Sequence, residues 1–370
     1  MPKSKLKICI LSSSHSVFDD RIFQKEARTL ANAGYHVVLI APHDKRESTS
    51  GVHIVPLHKP IDRLERMTKT TWRLFRFGLV EHALIYHIHD PDLILIGLLF
   101  KCLGKKVIYD VHEDFPQQLL YKEWIRSYRL RRILSIVFNM LEKTSASIFD
   151  AIVAVTADIA RQFPAKKTMI VRNLPVLDLI DRVAPLQKRT AKPIVFYAGW
   201  LTKIRGIREL IHAMQIIGDR GELWLLGKWE SEEFKKECAA SGGWKHTKYL
   251  GFVPLKEVYG YMKIADIGIC LLYPIKYYLT SLPIKGYEYM ACSLPIVMSD
   301  FPYWKNTFAG CALFTNPHIP AHIAENILYL IDRPDEANRL GAHGRQLSQQ
   351  EFNWETESNR LITLYKNLLN

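Results

Sequence analysis

Two segments of the chain put cations where a helix disfavours them. In TSLPIKGYEYMACSLPIVMSD (280–300) the pattern predicts a loop, a short helix from about Pro283 to Cys292, and a buried strand from Pro295 to Ser299. Lys285 then falls in the first helical turn, which carries about half a positive charge from unpaired N–H groups. A Lys285–Glu288 pair in that order offsets only about a few tenths of a kcal/mol. In WLTKIRGIREL (200–210), Lys203 and Arg205 crowd a second helix start at about Gly206, and Gly199 and Gly206 let the backbone approach closely. Any one of these lysines alone reads as a solvated surface charge. Two such clusters, each following a strand, predict one anion held between helix ends, a phosphate or diphosphate.

A second set lies in the first half. His15 follows ILSSS, His89 lies in HIHDPD and His112 in YDVHEDFP. Each alone is an ordinary satisfied polar residue. Three at the carboxyl ends of parallel strands point into one cleft. Asp90, Glu113 and Asp114 are carboxylates beside them that can position an acceptor or its hydroxyl, and Asp20 and Arg21 open the first helix. No pair has a nucleophile signature. The fourteen histidines lack ligand spacing with cysteines and no D-x-D motif introduces a metal for the diphosphate, so no metal is expected and Lys and Arg take over its charge-offsetting role. Neither a P-loop nor a G-x-G-x-x-G fingerprint occurs.

The elements that must position these residues alternate. Strands are expected at 7–13, 36–42, 53–58, 84–90, 106–112, 151–157 and 168–174, with helical patterns between most of them, the first at 19–34. Near-continuous apolar strands covered by helices mean a doubly wound parallel sheet. PVLDLIDRVAPLQKRTAKP (175–193) breaks the rhythm as a linker, and a second α/β series starts at PIVFYAG. Two such domains are expected to leave a ligand cleft facing the carboxyl ends of both sets of strands.

Bulk properties narrow the class. Apolar residues make up 48% of the 370 and mean hydropathy is −0.05, which marks a soluble protein with a sizeable core. The six scattered cysteines read as reduced thiols in a cytosolic protein. MPKSKLKICILSSS is too short in its apolar run for a signal peptide, and DLILIGLLF falls well short of the ~20 residues of a span, so a protein neither secreted nor integral is expected. All but one unit of the net charge of +13 resides in residues 1–200, where 31 Lys/Arg face 19 Asp/Glu. DRLERMTKTTWRLFRFGL (62–79) places Arg63, Arg66, Lys69, Arg73 and Arg76 on one helical stripe opposite Leu64, Met67, Leu74 and Phe75. YKEWIRSYRLRRILSIVF (121–138) adds Arg126, Arg129, Arg131 and Arg132 beside Trp124 and Tyr128. The apolar sides are expected to pack on the sheet, and the basic sides to face water or an anionic leaflet. No nucleic-acid-binding motif accompanies the charge.

YAGWLTKIRGIRELIHAM resembles the G-x-L-x-x-x-K-G segment of family 4 glycosyltransferases, retaining enzymes of the GT-B fold, and TSLPIKGYEYMACSLPIV resembles their E-x7-E region. SHSVFDDRIFQKEARTLANAGYHVVLIAP, HIHDPD, YDVHEDFP and VRNLP extend the resemblance to essentially the whole chain. It implies an acceptor-binding Rossmann-like domain at 1–180, a nucleotide-sugar-binding one at 190–350, and a helix at 351–370, after Trp354, crossing back to the first. It implies that Glu288 holds ribose hydroxyls, that Arg205 and Lys203 bind the diphosphate with Lys285 beside them, and that backbone amides near Thr280 and Ser281 donate to the donor while Gly199 clears room. His112 matches the histidine near the transferred sugar. His112, Arg205 and Asp114 are the expected catalytic residues, and His15, His89 and Asp90 the acceptor-binding ones. Two positions depart: Thr280 replaces the first glutamate of E-x7-E, leaving donor-sugar identity open, and Trp200 replaces the arginine after the glycine, an absence Lys203 can offset.

The expected function is transfer of a sugar from a UDP- or GDP-linked donor to a glycan or lipid-diphosphate acceptor in surface polysaccharide biosynthesis, by front-face substitution in which a donor phosphate oxygen takes the acceptor's proton. No cofactor or metal is expected. The expected location is cytoplasmic, peripheral at the inner face of the membrane, with Arg63, Arg66, Lys69, Arg73, Arg76, Arg129 and Arg132 in contact. A nucleotide-sugar 2-epimerase of the same architecture and a non-catalytic donor-binding subunit are the alternatives.

Overall fold

A computed structural model describes residues 6–122, 124–188 and 190–369. The chain divides into two compact units, residues 1–173 with 356–370, and residues 174–355.

The first unit is built on eight strands: β1 (Lys7–Leu11), β2 (His36–Pro42), β3 (Glu47–Thr49), β4 (Val52–Leu57), β5 (Ile85–Ile88), β6 (Lys106–Val111), β7 (Ala151–Ala154) and β8 (Thr168–Ile170). Their order is β3-β4-β2-β1-β5-β6-β7-β8, parallel except for the β3–β4 pair at one edge. Central strands such as CIL of β1 and IYHI of β5 are buried throughout, as both faces of the sheet are covered. Register places Leu11 level with Ile40 and Ile88, and Ile88 level with Tyr109. The ends of β1, β5 and β6 therefore lie side by side.

Local structure departs from expectation in three places. The helix expected at 19–34 begins as a π-helix, Asp20–Ala27, before the α-helix Arg28–Asn32. The strand expected at 168–174 stops at Ile170, because the Val171 carbonyl accepts from Arg21 Nη1 at 3.1 Å and the Arg172 amide donates to Glu357 Oε2 at 2.8 Å. The basic helix expected over 62–79 is an α-turn Arg63–Glu65, a π-helical stretch Arg66–Thr70 and an α-helix Thr71–Val80. The wider π turn breaks the single stripe. Arg66 points inward to Asp92 at 3.4 Å, and Leu64 and Met67 face outward while Leu74 and Phe75 are buried.

The second unit is a fully parallel sheet of six strands: β9 (Ile194–Ala198), β10 (Glu222–Leu226), β11 (Thr247–Gly251), β12 (Ile267–Cys270), β13 (Ile296–Ser299) and β14 (Ala312–Thr315), ordered β11-β10-β9-β12-β13-β14. Apolar cores fill both faces. The order reverses at β9, as it does at β1 in the first unit. Crossovers leaving on opposite sides of such a strand open a crevice at its carboxyl end.

The helix Trp354–Leu369 carries the chain from the second unit into the first. Leu361 and Tyr365 are fully buried there, and Glu357 binds the Arg172 amide and Nε at 2.8 and 2.9 Å.

Candidate functional site

In the second unit, the helix Ile284–Ala291 is pressed onto the sheet by small residues. A Cβ at Gly268 would stand 2.7 Å from the Tyr289 ring, and one at Gly286 would stand 2.9 Å from Phe308. Tyr289 is buried over β12, its hydroxyl donating to the Ile269 carbonyl at 3.2 Å. Burying such aromatic side chains stabilises by about 1.5–3 kcal/mol each. That close packing aims Lys285, from the first turn of this helix, at the end of β9. A Cβ at Gly199, whose φ is +140°, would lie 2.9 Å from Lys285 Nζ, 3.5 Å from Arg205 Nη1 and 3.6 Å from Tyr197 Oη. The two cations thus converge over one glycine. Lys285 Nζ donates to Tyr197 Oη at 3.3 Å and lies 4.7 Å from the centre of that ring. Burial works against the Arg205 guanidinium, yet its contact with Tyr197 holds its pKa above the ordinary value. Gly227 seals the other side, where a Cβ would meet the Gly199 carbonyl oxygen at 1.7 Å.

Glu288 lies one turn further along the same helix, half-buried, and accepts from Tyr259 Oη at 3.1 Å. Other expected donor residues are not brought to this cluster. Lys203 turns away from it, 3.6 Å from Glu237 and 5.5 Å from the Phe234 ring centre, because it leaves the 3-10 turn Lys203–Arg205 in a different direction from Arg205. The Ser281 amide already donates to the Tyr278 carbonyl at 3.1 Å, and its carbonyl accepts from Trp304, which corrects the expectation that this amide is available. Thr280 and Trp200 are exposed.

In the first unit the π-helix puts residues four and five apart on one face, so that Arg21, Lys25 and Glu26 are all buried. Arg21 reaches Glu26 at 2.9 Å through Nε and Asp110 at 2.9 Å through Nη2. Lys25 is held by Asp20 at 2.6 Å and by the Asn173 side chain at 2.7 Å. Tyr365, from the C-terminal helix, meets His87 Nδ1 at 2.9 Å. Among the described residues, Glu26, His87, His89 and Asp110 form a group whose ligand-type atoms all lie within 4.8 Å of one another. A cation fits that donor set, but the Arg21 guanidinium already lies against both carboxylates and supplies the countercharge.

Burial sets the protonation here. It pushes His89 well below the usual imidazole range and His87 down to about 4. Burial together with the Asp110 charge raises the Glu26 carboxyl well above its ordinary value. Burial also acts on Asp110, but its surroundings, the Arg21 guanidinium first among them, outweigh that and keep it ionised. His112 stacks on His89 with ring centroids 5.3 Å apart, its Nε2 3.2 Å from His89 Nδ1 and its Nδ1 3.3 Å from Asp110. Burial lowers its pKa despite Asp110. With Asp110 ionised, neutral His112 donates from Nδ1 to the carboxylate and accepts at Nε2 from His89. The partly exposed ring is thereby fixed in place.

His15 is the most open of the three expected histidines, 3.3 Å from Asp19 and 3.6 Å from Asp90. The hydrogen bond to Asp19 outweighs burial and raises its pKa. The remaining expected residues serve the scaffold. Asp90 is buried and accepts from Ser12 Oγ at 2.8 Å, from the Ser13 amide at 2.6 Å and from Ser14 Oγ, so it anchors the loop after β1 rather than facing an acceptor. His89 is buried behind His112. Asp114 caps the helix Phe115–Leu120 through the Gln117 amide at 3.0 Å and accepts from Gln162 at 3.0 Å. Sequence reasoning missed Tyr197, Gly227, Glu26, Asp110 and Tyr365. Charged residues at 21, 25 and 26 within an apolar helical pattern were the readable sign of the buried network.

Residues 21–168 match the model for Glycosyltransferase Family 4 and residues 181–347 that for Glycosyl transferases group 1, and the chain belongs to the family 4 glycosyltransferases. It is 24% identical over 192 residues to spore coat protein SA of Bacillus subtilis (strain 168), covering 47% of this chain and 49% of that protein. It is 24% identical over 258 residues to alpha-maltose-1-phosphate synthase of Mycolicibacterium smegmatis, covering 62% and 66%. The matches thus span about half to two thirds of these relatives' length. In fold it resembles sucrose-phosphate synthase from Thermosynechococcus elongatus (TM-score 0.77, 18% identity, 99% of both chains). It also resembles Anabaena HepE, solved with UDP and glucose (TM-score 0.75, 13% identity, 98% of this chain and 100% of that one). The fold is that of the GT-B glycosyltransferases.

Proposed function

We propose that the chain is a retaining glycosyltransferase that takes a sugar from a UDP- or GDP-linked donor and passes it to a glycan or lipid-diphosphate acceptor in surface polysaccharide synthesis. The observation that carries this reading is the convergence of Lys285 and Arg205 over Gly199. In this reading the two cations hold the diphosphate and stabilise the charge that builds on the leaving nucleotide, Glu288 takes ribose hydroxyls, and the second unit is the donor unit. HepE, solved with UDP and glucose, supports a uridine donor first. Lys and Arg take the place of a metal. In the first unit His112, held by Asp110 and His89, lies against the transferred sugar, and His15 meets the acceptor. A donor phosphate oxygen takes the acceptor's proton. Exposed Lys69, Arg73, Arg76, Arg129 and Arg132 lie against an anionic membrane at the cytoplasmic face, with Arg63 beside them. Arg66, paired with Asp92, does not take part.

Thr280 and Trp200 favour the rival reading, a donor-binding subunit without turnover. Nucleotide release from UDP- and GDP-sugars, with and without lipid-linked acceptor, separates the two. Arg205→Ala and Lys285→Ala are expected to lower turnover by about 10²-fold or more, while Lys203→Ala stays within a few-fold of wild type. Thermal stabilisation by UDP or GDP with no turnover favours the subunit, and wild-type rates in Arg205→Ala remove the assigned site.

A further inference from the structure

The helix Tyr128–Ile148 packs Phe138 and Leu141 against the core but carries a second set of apolar side chains on its outer side. Of its 21 residues only Glu142, Ser145 and Ala146 are buried, and Ile133, Ile136 and Met140 stand on one outward face, with Ile133 57% and Met140 65% exposed. It is not alone. In the helix Ile94–Cys102, Leu95 is 60% exposed and Leu99, one turn on, is also exposed; at the end of Thr71–Val80, Val80 is 71% exposed. Sheet order brings the three together. The steps from β4 to β5 to β6 to β7 all run the same way across the sheet, and the step from β1 to β2 runs the other way. Right-handed crossovers therefore put these three helices on one side. They pack against one another in sequence. A band of apolar side chains crossing three neighbouring helices is far more than the scattered leucines every protein surface carries.

Charge surrounds the band. Arg129 and Arg132 border it on one helix and Arg73 and Arg76 on another, all exposed. Arg63 lies 4.2 Å from the centre of the exposed Trp124 ring, which joins the two basic segments into one margin. Tyr128 adds a second exposed aromatic at the start of the long helix. Apolar centre, cationic margin and amphipathic aromatics at the border match the layers of an anionic bilayer: acyl chains, phosphates and the interface between them. A second copy of the chain fits worse, since a two-fold contact would set basic margin against basic margin.

We propose that this three-helix face of the first unit inserts into the acyl boundary of an anionic membrane, making the chain a monotopic protein rather than one held by surface charge alone. This deepens, and rests on, the membrane contact proposed above. The long helix and Ile94–Cys102 follow the loops that carry His112 and His89, so insertion places the acceptor end of this unit at the lipid surface.

The test is co-sedimentation of the full chain with vesicles of phosphatidylglycerol and phosphatidylcholine, and of phosphatidylcholine alone, at low and at 0.5 M salt. Wild type is expected to bind anionic vesicles with a salt-resistant fraction. The double variant Ile133→Glu, Met140→Glu is expected to lose at least about tenfold in partition while keeping its melting temperature and elution volume. Arg129→Ser, Arg132→Ser is expected to lose binding at low salt only. If the acidic double variant partitions like wild type while the arginine variant fails, insertion is wrong and surface contact stands. If wild type binds no vesicle, both fall. If wild type elutes as a dimer that the acidic variant dissolves, and ignores vesicles, the face is a contact between copies and the inference is overturned.

Discussion

Charged residues in this chain take their meaning from what surrounds them within a few ångströms. Arg205 and Lys203 are two positions apart, yet one meets Lys285 and Tyr197 over Gly199 and the other pairs with Glu237. The sequence showed both cations at a helix start but not which way each side chain leaves a 3-10 turn. His15 shows the same dependence. Asp19 accepts from the Arg21 and Ile22 amides at 2.9 and 3.0 Å and lies 3.3 Å from His15 Nδ1; these bonds outweigh its burial and hold its pKa down to about 2. A carboxylate depressed in the native state stabilises above its ordinary range and loses that contribution as pH falls toward 2. The raised His15 contributes at low pH and loses its part as pH rises through its native value. Asp19→Asn keeps the helix cap but removes the charge. Its stability deficit is therefore expected to be largest between about pH 4 and 6.5, and to shrink on either side. Denaturant melts across pH, with His15 titration followed by NMR, check this; an equal deficit at pH 2 and pH 5.5 would refute it.

At the scale of elements, pattern and packing disagree most in the helix Tyr128–Ile148. Its sequence carries basic and apolar residues in alternation, which predicts apolar packing on the sheet. Phe138 and Leu141 do pack on the core, but Ile133, Ile136 and Met140 face outward and Glu142 is buried, its Oε1 accepting from Tyr109 Oη at 2.8 Å beneath the helix. Burial raises that carboxyl from its ordinary value to about 7, the Tyr109 bond opposing it only in part. The native state keeps this proton to about pH 7, whereas the unfolded chain loses it near 4.5, so stability falls as pH rises across that range. Glu142→Gln is expected to gain on the order of 2 kcal/mol at pH 8 and nothing near pH 4. Urea melts at the two pH values measure it, and a gain independent of pH would show that some other effect acts. Two other elements, the π-helix Asp20–Ala27 and the broken basic helix, follow from one-residue insertions in helical register that an even 3.6-residue pattern does not reveal.

At the scale of the whole molecule, the last helix belongs to the first unit although the chain reaches it through the second. Leu361 and Tyr365 are fully buried in that unit, Tyr365 meets His87, and Lys106 Nζ donates to the Leu368 carbonyl. Ending the chain after Glu355 removes these contacts from the first unit alone. Losing two large buried side chains and a buried hydrogen bond costs several kcal/mol, on the order of 5 or more. Hydrogen exchange on the truncated chain is expected to show lost protection in β1, β5 and β6 while β9 to β14 stay protected. Uniform protection in both units would mean that the helix is dispensable.

Strand-helix alternation, the break near residue 175, two glycine-flanked cation clusters and histidines after successive strands were all legible in the chain itself. Each depends on local spacing, which sequence records directly. Tertiary structure alone decided that Arg205 rather than Lys203 meets Lys285, that Asp90 and Asp114 tie down loops, and that the long basic helix turns its isoleucines to the outside. Those outcomes depend on which side chains face one another across strands and helices far apart in the chain, and close packing settles them only once every neighbour is in place.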